Sequence, residues 1–233
     1  MDACHTSTHA RLDRLATHRH REPYAALVLH GGHVEMGLDG RFDCRRGVLI
    51  VHPAWHAHAN AFGDQGARVL NLPAPAADGV YAGVVPDPDR IEKLARTDPG
   101  AASRAAMEEA ATFRPAAPAR WLVRLVALLA DDAGCEIGQL ATQCGVTAEH
   151  ASRACKRWFG EAPVRLRQER RLRRAMALLL DGASPVEAAL EAGFSDQPHL
   201  TRLLKRATGL TPARLVRDRQ GARGSMKLPG AHR

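Results

Sequence analysis

The sequence predicts a multidomain α+β chain, with a small N-terminal β-barrel, a helical connector and an all-α C-terminal part. Three observations support this fold class. Residues 18–72 contain short apolar runs rich in β-branched residues, separated by turn signals, as in a small sandwich or barrel. Residues 136 to about 217 show helical periodicity in short, capped pieces. Between these parts, residues 73–88 are rich in Pro, Ala and Asp, which indicates a boundary.

The first two parts are assigned from their local patterns. Strands are expected at AALVLHGG, GVLIVHP and ARVLNLP, so residues 1–83 are predicted to form the barrel. Residues 84–134 are predicted to be a helical connector, with amphipathic helices around Ile91–Leu94 and Trp121–Leu129. Their apolar faces are either a homodimer surface or internal packing, and the sequence leaves both open.

Charge is distributed unevenly along the 233 residues, which carry a net charge of +8. Residues 1–134 hold 15 Lys and Arg against 16 Asp and Glu, whereas residues 135–233 hold 18 against 9. A strongly basic second half predicts a polyanionic partner for that half alone. A solvated basic surface without a partner is the alternative.

The chain has no feature of a secreted or membrane protein. Its five cysteines lack a CxxC spacing, no apolar run is long enough to span a bilayer, and the N-terminus has no apolar signal core. We therefore expect a cytoplasmic protein with reduced thiols and no membrane association. The tail, 219–233, is basic and without periodicity, and is predicted to be disordered.

The end of the basic half contains two helices joined by a tight turn. Ser184-Pro185-Val186-Glu187 is a capping box, and Gly193 is suited to the left-handed conformation that ends a helix. Ser195 is then expected to cap a second, basic helix. The apolar stripe of this second helix consists of Leu200, Leu203, Leu204 and Ala207. Residues 185–208 therefore predict a helix-turn-helix unit.

The same plan occurs about 49 residues upstream, at 137–159. Here Gly145 lies at the turn and Thr147 is the expected cap of the second helix. Gly160 corresponds in this repeat to Gly209. A longer helix over 163–180, with the basic run RLRQERRLRRA, joins the two units within a predicted domain at 135–218.

A second helix of this kind can place polar side chains against base edges in the major groove of double-stranded DNA. Arg bonds guanine bidentately and Gln bonds adenine, with roughly 1–3 kcal/mol of discrimination per good contact. Opposite the apolar stripe of the 185–208 unit lie Gln197, Pro198, Thr201 and Arg202. The basic residues suited to phosphate contacts are Lys156, Arg157, Arg170, Arg171, Lys205 and Arg206.

Residues 136–217 resemble the DNA-binding domain of AraC/XylS-type bacterial transcription regulators. The run GFSDQPHLTRLLKRATGLTPARLVR follows the family signature nearly throughout. In the second unit, the resemblance implies that Gln197, Thr201 and Arg202 face DNA. In the first unit, it implies the same for Glu149, His150, Ser152 and Arg153.

The first unit departs from the family pattern in its core. Ala151, Ala154 and Cys155 stand where larger apolar residues are usual. Each truncation removes contacts worth on the order of 1–4 kcal/mol unless neighbours such as Trp158 fill the space. We interpret Cys144 and Cys155 as small core residues and not as redox sensors.

The N-terminal half is similar to the cupin barrel that many of these regulators carry. His18 and His20 match the HxH of the first cupin motif, and Gly47, Pro53 and His58 match the second. Tyr24 stands where the family usually has glutamate, and Trp55 replaces the usual glycine after Pro53.

Two interpretations of these histidines remain open. His18 and His20 share a strand face, as do His56 and His58, so the four imidazoles can converge on a divalent metal such as Zn²⁺, Ni²⁺, Cu²⁺ or Fe²⁺. Alternatively, they hydrogen-bond within a barrel that binds an organic effector or nothing. The remaining histidines are expected to be ordinary surface or strand-end residues: His5, His9, His30, His33 and His52.

Together these features predict a one-component transcription regulator that senses a small-molecule or metal effector. RNA polymerase would be a further partner of an activator. The alternative is a metal-dependent cupin enzyme fused to a DNA-binding domain. The chain has no GxSxG, GxxxxGK[ST] or HExxH motif, so we expect no enzymatic activity.

Overall fold

A computed structural model describes residues 4–77, 79–113, 115–131 and 134–224. It confirms an N-terminal antiparallel sheet followed by a C-terminal helical region. The strands are β1 (His5–His9), β2 (Arg14–Arg19), β3 (Tyr24–Gly37), β4 (Gly40–Arg45), β5 (Val48–His52), β6 (Ala57–Pro73), β7 (Tyr81–Val84) and β8 (Ala111–Thr112). The helices are α1 (Pro88–Ala95), α2 (Pro99–Glu109), α3 (Arg120–Asp131), α4 (Ile137–Gln143), α5 (Ala148–Phe159), α6 (Pro163–Leu180), α7 (Pro185–Glu191), α8 (Gln197–Thr208) and α9 (Pro212–Gly224).

The sheet is built on one long antiparallel pair, β3 with β6, which runs from Tyr24 opposite Pro73 to Gly37 opposite His58. Each of these strands has two different outer neighbours. β5 and β4 pair with the first and second halves of β3, and β1 and β2 pair with the two halves of β6. β7 and β8 continue the sheet beyond β5. The long pair therefore connects two sub-sheets.

The junction between the sub-sheets is a pair of glycines. The β3–β6 register shifts on both sides of Gly31, and Gly31 and Gly66 have φ values of 66° and 63°. A Cβ atom on Gly31 would lie 2.1 Å from the carbonyl oxygen of Gly66. Only glycine fits such a left-handed, close-packed position, so these two glycines allow β3 and β6 to change direction between the two sub-sheets.

We expect the Gly31→Ala substitution to lower the free energy of unfolding by more than about 2 kcal/mol, because it adds backbone strain and a backbone clash. Urea unfolding followed by circular dichroism measures the change. Gly138→Ala is the matched control, since Gly138 lies in α4 with open space around its Cα and should be neutral or stabilising. Equal stability of the Gly31→Ala protein and the wild type would contradict the assigned role of Gly31.

The predicted connector at 84–134 does not form a separate layer, which corrects that assignment. α1 and α2 pack on the sheet, where Ile91, Ala95, Ala102 and Ala106 are buried with Leu27 and its neighbours. β8 extends the sheet itself. The apolar residues of α1 and α2 pack on each other and on the buried residues of the sheet, so this segment belongs with the sheet.

α3 belongs instead to the helical region. Leu122, Leu125 and Leu129 are fully buried against α4, α5 and the start of α6. The two amphipathic faces that were candidate dimer surfaces therefore pack inside the chain. Trp121 and Trp158 pack against the same core. Their side chains add apolar volume to the core that contains the small residues Ala151 and Cys155.

α6 is shared by two cores of the helical region. Its Leu166 packs with α3, α4 and α5, whereas Leu172, Met176 and Leu179 pack with α7, α8 and α9. α9 extends to Gly224, so the predicted disordered tail is helical over 219–224. The rest of that tail, 225–233, lies outside the described residues.

All five cysteines are free thiols. Cys155 is completely buried, and burial raises the pKa of its thiol to about 12, which keeps it protonated and unreactive at neutral pH. Within the described residues, no helix combines the length and apolar character needed to cross a bilayer.

Candidate nucleic-acid interface and histidine cluster

α5 and α8 begin and end in the same way. The Thr147 side chain accepts a hydrogen bond from the His150 amide (3.2 Å), and the Asp196 side chain accepts one from the His199 amide (2.6 Å). Each helix ends at a glycine in the left-handed conformation, Gly160 or Gly209. Asp196 therefore caps α8, one residue after the predicted Ser195, and its carboxylate complements the helix dipole.

The two faces of α8 differ as the sequence predicts. Leu200 and Leu204 are completely buried, and Leu203 and Ala207 are partly buried against the same core. The opposite face consists of exposed Gln197, Pro198 and Arg202, with Thr201 half-buried. A polar face on a helix anchored by two buried leucines is free to meet another molecule.

α5 has an equivalent pair of faces. Ala151, Cys155 and Phe159 are buried. The predicted base-facing residues are exposed Glu149, His150 and Arg153, with half-buried Ser152. The His150 ring packs edge-on against Trp121, with ring centroids 5.0 Å apart, so α3 supports this residue from the side.

The residues predicted to contact phosphate fall into two groups. Lys156, Arg157, Lys205 and Arg206 are exposed in the last turns of α5 and α8. Arg170 and Arg171 of α6 are half-buried, and burial lowers the pKa of Arg171. The four exposed cations are therefore more accessible to a polyanion than the two on α6.

The sheet contacts the helical region along β2 and along the β3–β4 hairpin. Arg19 pairs with Glu169 of α6, and the Thr17 hydroxyl donates to Glu161 at 2.5 Å. Asp39, in the turn between β3 and β4, accepts a hydrogen bond at 2.8 Å from Arg173, which also pairs with Glu169. The helix that joins the two helix pairs is thus held by ion pairs to the sheet.

A cluster of five histidines lies beside this contact. The β2–β6 register places His18 directly opposite His58, and their ring centroids are 4.3 Å apart. Two groups of three have a ring nitrogen of each residue within 4.8 Å of the others, namely His18, His20 and His58, and His52, His56 and His58. The four predicted histidines therefore converge, and His52 joins them.

His52 and His33 are buried, which corrects their prediction as ordinary surface or strand-end residues, although His52 does lie at a strand end. His52 is completely buried and His33 nearly so. His52 ends β5, and the turn between β5 and β6 brings it beside His56. In the sequence, His52 before Pro53 resembles an ordinary strand end, so its role depends on a strand pairing that the local pattern does not contain.

Hydrogen bonds orient most of the rings. Nδ1 of His18 donates to the carbonyl oxygen of Ala16 (2.9 Å), and the Tyr24 hydroxyl lies 3.0 Å from Nε2 of His58. Nε2 of His56 lies 2.7 Å from Oδ2 of Asp39, and the Nδ1 atoms of His52 and His56 are 3.2 Å apart. Tyr24, which the cupin motif would replace by glutamate, thus contacts the cluster.

Glu35 is a buried carboxyl beside the cluster that sequence reasoning missed. Its Oε2 lies 3.4 Å from Nε2 of His52 and 3.5 Å from the Asn60 amide nitrogen. Complete burial raises the pKa of Glu35 to about 8, although the Asn60 hydrogen bond acts in the opposite direction. The alternation of side chains along the strand VEMG indicates which residues share a sheet face with Glu35, but it does not predict which histidines lie beside it.

Two imidazoles of the cluster, those of His52 and His58, are held neutral. Burial, followed by the neighbouring histidines, lowers the pKa of His58 to about 2, and the same causes lower the pKa of His52 well below its usual value. For Asp39, burial alone would raise the pKa, but hydrogen bonds and charge from His56 and Arg173 outweigh it and hold it low. Neutral imidazoles backed by an ionised carboxylate are the forms that bind metal.

A cavity of about 460 Å³ is lined by His18, His20 and His58 together with Glu35. Its walls mix apolar residues such as Leu15 and Phe62 with polar ones such as Asn60 and Glu35. Within the described part of the chain, Nδ1 of His58 and Oε1 of Glu35 are buried without a hydrogen-bond partner. Buried polar atoms of this kind are available to a ligand.

Comparison with known families gives a match in the helical region. Residues 116–218 match a family described as a helix-turn-helix domain, and this range includes α3 together with both helix pairs. The C-terminal region of the chain therefore contains a helix-turn-helix domain. A search of curated proteins gave no match.

Several solved structures are similar to the chain. ToxT from Vibrio cholerae is 9% identical over 92% of this chain and 98% of that one, with a TM-score of 0.45. A regulator with an AraC-type DNA-binding domain from Chromobacterium violaceum is 27% identical over 42% of this chain and 91% of that one, with a TM-score of 0.40. The C-terminal domain of AraT from Geobacillus stearothermophilus is 21% identical over 43% of this chain and 86% of that one, at a TM-score of 0.40.

Proposed function

We propose that the protein is a sequence-specific DNA-binding transcription regulator of the AraC/XylS type. The observation that carries this proposal is the helix-turn-helix match over 116–218, within which α5 and α8 both expose a polar face. We interpret α4–α5 and α7–α8 as two helix-turn-helix motifs with α5 and α8 as recognition helices. The base-facing residues are Glu149, His150, Ser152, Arg153, Gln197, Pro198, Thr201 and Arg202.

α6 sets the distance between the two motifs. Its 18 residues correspond to about 27 Å at 1.5 Å per residue. Because α6 is packed into both cores, the motifs are fixed relative to each other. This spacing suits two successive major-groove segments on one face of DNA, which lie roughly 34 Å apart.

The phosphate contacts come mainly from Lys156, Arg157, Lys205 and Arg206. Each lies in the last turn of a recognition helix and is exposed. Arg170 and Arg171 would contribute from α6 to a smaller extent, because they are half-buried. Phosphate contacts position the protein without reading sequence.

We further propose that the N-terminal sheet is a cupin-like barrel that senses an effector. The donor set fits a divalent transition metal, because His18, His20 and His58 converge and His56 lies next to them. The hydrogen bond from Nδ1 of His18 to Ala16 leaves its Nε2 as the ligand atom. The adjoining cavity would accept a small molecule with both polar and apolar parts.

Effector binding would act on the DNA-binding region through the contact between sheet and α6. A ligand changes such a contact only if it binds one arrangement more tightly than another. RNA polymerase is the further partner if the regulator activates transcription. A homodimer through the amphipathic connector faces is not part of this proposal, since those faces are buried within the chain.

Selection of binding sites from a randomised DNA pool tests the proposed function. The full-length protein is expected to enrich one sequence family, and the enriched site should bind 10³-fold or more tightly than scrambled DNA at physiological salt. Enrichment of no sequence, with equal affinity for all DNA, would overturn the proposal. Turnover of a small substrate without sequence preference would favour the alternative of a metal-dependent enzyme.

Lys205→Ala is expected to weaken binding to specific and scrambled DNA alike. The loss of one phosphate contact should reduce the slope of log affinity against log salt by about 1. Titrations between about 50 and 200 mM salt give this slope. Lys93→Ala is the matched control, because Lys93 is an exposed lysine of α1, which packs on the sheet. If the salt slope of Lys205→Ala is as steep as that of this control, Lys205 does not contact DNA phosphate.

A further inference from the structure

We propose that His52, His56 and His58 form a metal-binding position of their own, and that Asp39 connects this position to Arg173 of the DNA-binding region. The ligand is a divalent transition ion of the Zn²⁺ type. This position differs from the group of His18, His20 and His58, with which it shares only His58. All three of its histidines are buried, with exposed fractions of 0%, 6% and 2%.

The spacing of two of the ligand atoms supports this position. The Nδ1 atoms of His52 and His56 are 3.2 Å apart. Two nitrogens bound to one tetrahedral Zn²⁺ at 2.0–2.1 Å lie about 3.3–3.4 Å apart. The His52 and His58 rings stack at 4.5 Å between centroids, and a ring nitrogen of His58 lies within 4.8 Å of the others. Only small side-chain shifts are therefore needed to surround an ion.

Asp39 prepares His56 for this role. Its Oδ2 lies 2.7 Å from Nε2 of His56, so the ring carries its proton on Nε2 and directs the Nδ1 lone pair toward His52. A carboxylate behind a ligating histidine fixes the tautomer and raises the basicity of the ligand atom. The carboxylate also accepts a hydrogen bond from Arg173, at 2.8 Å.

The turn that carries His56 is held in a strained conformation. Trp55 has a φ of 63°, which is unusual for a large residue, and its amide donates to the carbonyl oxygen of His20 at 2.7 Å. Its side chain packs against the core formed by α6 to α9. The backbone between His52 and His56 is thus anchored to the sheet and to the helical region together.

Asp39 is shared between the metal position and α6. Its Oδ2 accepts from both His56 and Arg173. Arg173 also pairs with Glu169, which in turn pairs with Arg19. An ion that fixes His56 also fixes Asp39, and so favours the arrangement in which α6 is docked on the sheet. This consequence for DNA binding rests on the proposed function, whereas the metal position does not.

Co²⁺ binding to the full-length protein tests the position, because Co²⁺ replaces Zn²⁺ and shows visible bands when it is tetrahedral. His18→Ala/His20→Ala is expected to retain one Co²⁺ per chain with these bands. Addition of His52→Gln/His56→Gln to that variant should abolish binding. Loss of all Co²⁺ in the first double variant, or unchanged binding in the quadruple variant, overturns the position.

Asp39→Asn keeps all three proposed ligands, His52, His56 and His58, and provides the arm that does not depend on removing buried side chains. Its Co²⁺ affinity in the His18→Ala/His20→Ala background should fall 10–100-fold, as expected for loss of a carboxylate behind a ligand. Near-ultraviolet circular dichroism of each metal-free variant verifies that it is folded. An unchanged affinity in Asp39→Asn would show that Asp39 does not support the site.

The link to DNA is measured on the same preparations. Zn²⁺ should change the affinity of His18→Ala/His20→Ala for the selected DNA site at least fivefold, and Asp39→Asn at saturating Zn²⁺ should abolish that change. Specific DNA binding with the same affinity in the presence and in the absence of Zn²⁺ would overturn the link. Absence of any sequence preference would instead overturn the proposed function, while the Co²⁺ measurements still decide the metal position.

Discussion

Arg202→Ala is expected to reduce the discrimination between the selected site and scrambled DNA by roughly 1–3 kcal/mol. Arg202 is exposed on the polar face of α8, and a guanidinium in this position can bond guanine bidentately. Its removal leaves the phosphate contacts of Lys205 and Arg206 in place, so affinity for scrambled DNA should change little. Competition titrations with both DNAs measure the two affinities.

Arg104→Ala serves as the control for the loss of one positive charge. Arg104 is exposed on α2, which packs on the sheet and lies outside the helix-turn-helix match. The two variants should therefore differ in specificity although their net charges are equal. The same discrimination in both would show that Arg202 does not read a base.

Glu169→Gln is expected to lower the free energy of unfolding by about 3 kcal/mol. Glu169 lies between Arg19 and Arg173, and the side chains of Arg19 and Glu169 are only 11% and 14% exposed. Removal of the negative charge leaves the buried guanidinium of Arg19 without its anionic partner, while glutamine preserves the volume. Urea unfolding at neutral pH, followed by circular dichroism, measures the change.

Asp43→Asn is the matched control, since it removes one carboxylate from an ion pair in solvent. Its partner Arg45 is 80% exposed and Asp43 is 62% exposed. Exposed pairs of this kind contribute little to stability, so the unfolding midpoint should stay close to that of the wild type. If Glu169→Gln unfolds at the same urea concentration as Asp43→Asn, the ion pairs do not hold α6 to the sheet.

Local signals in the sequence predicted the helical region well. The capping box at Ser184, the cap at Thr147 and the left-handed conformation of Gly193 are all present. Each depends on residues a few positions apart, so spacing alone contains the information. The cap of α8 was assigned one residue early because Ser195 and Asp196 are both good capping residues.

Long-range contacts account for most of what the sequence did not predict. His52, Glu35 and Asp39 meet through the pairing of β3 with β5 and β6 and through the β3–β4 turn. Asp39 and Arg173 are 134 positions apart. Amphipathic periodicity showed that α1 and α3 bury one face, but it could not specify the sheet as the partner of one and α4 to α6 as the partner of the other.

A hydroxyl-radical footprint of the full-length protein on its selected site tests directly whether two recognition helices, joined by the rigid helix α6, read DNA. Two protected segments are expected on one face of the duplex, about 10–10.5 base pairs apart. Arg202→Ala should weaken protection in one of them. A single protected segment, or protection spread evenly along the DNA, would contradict a role for both α5 and α8 as recognition helices.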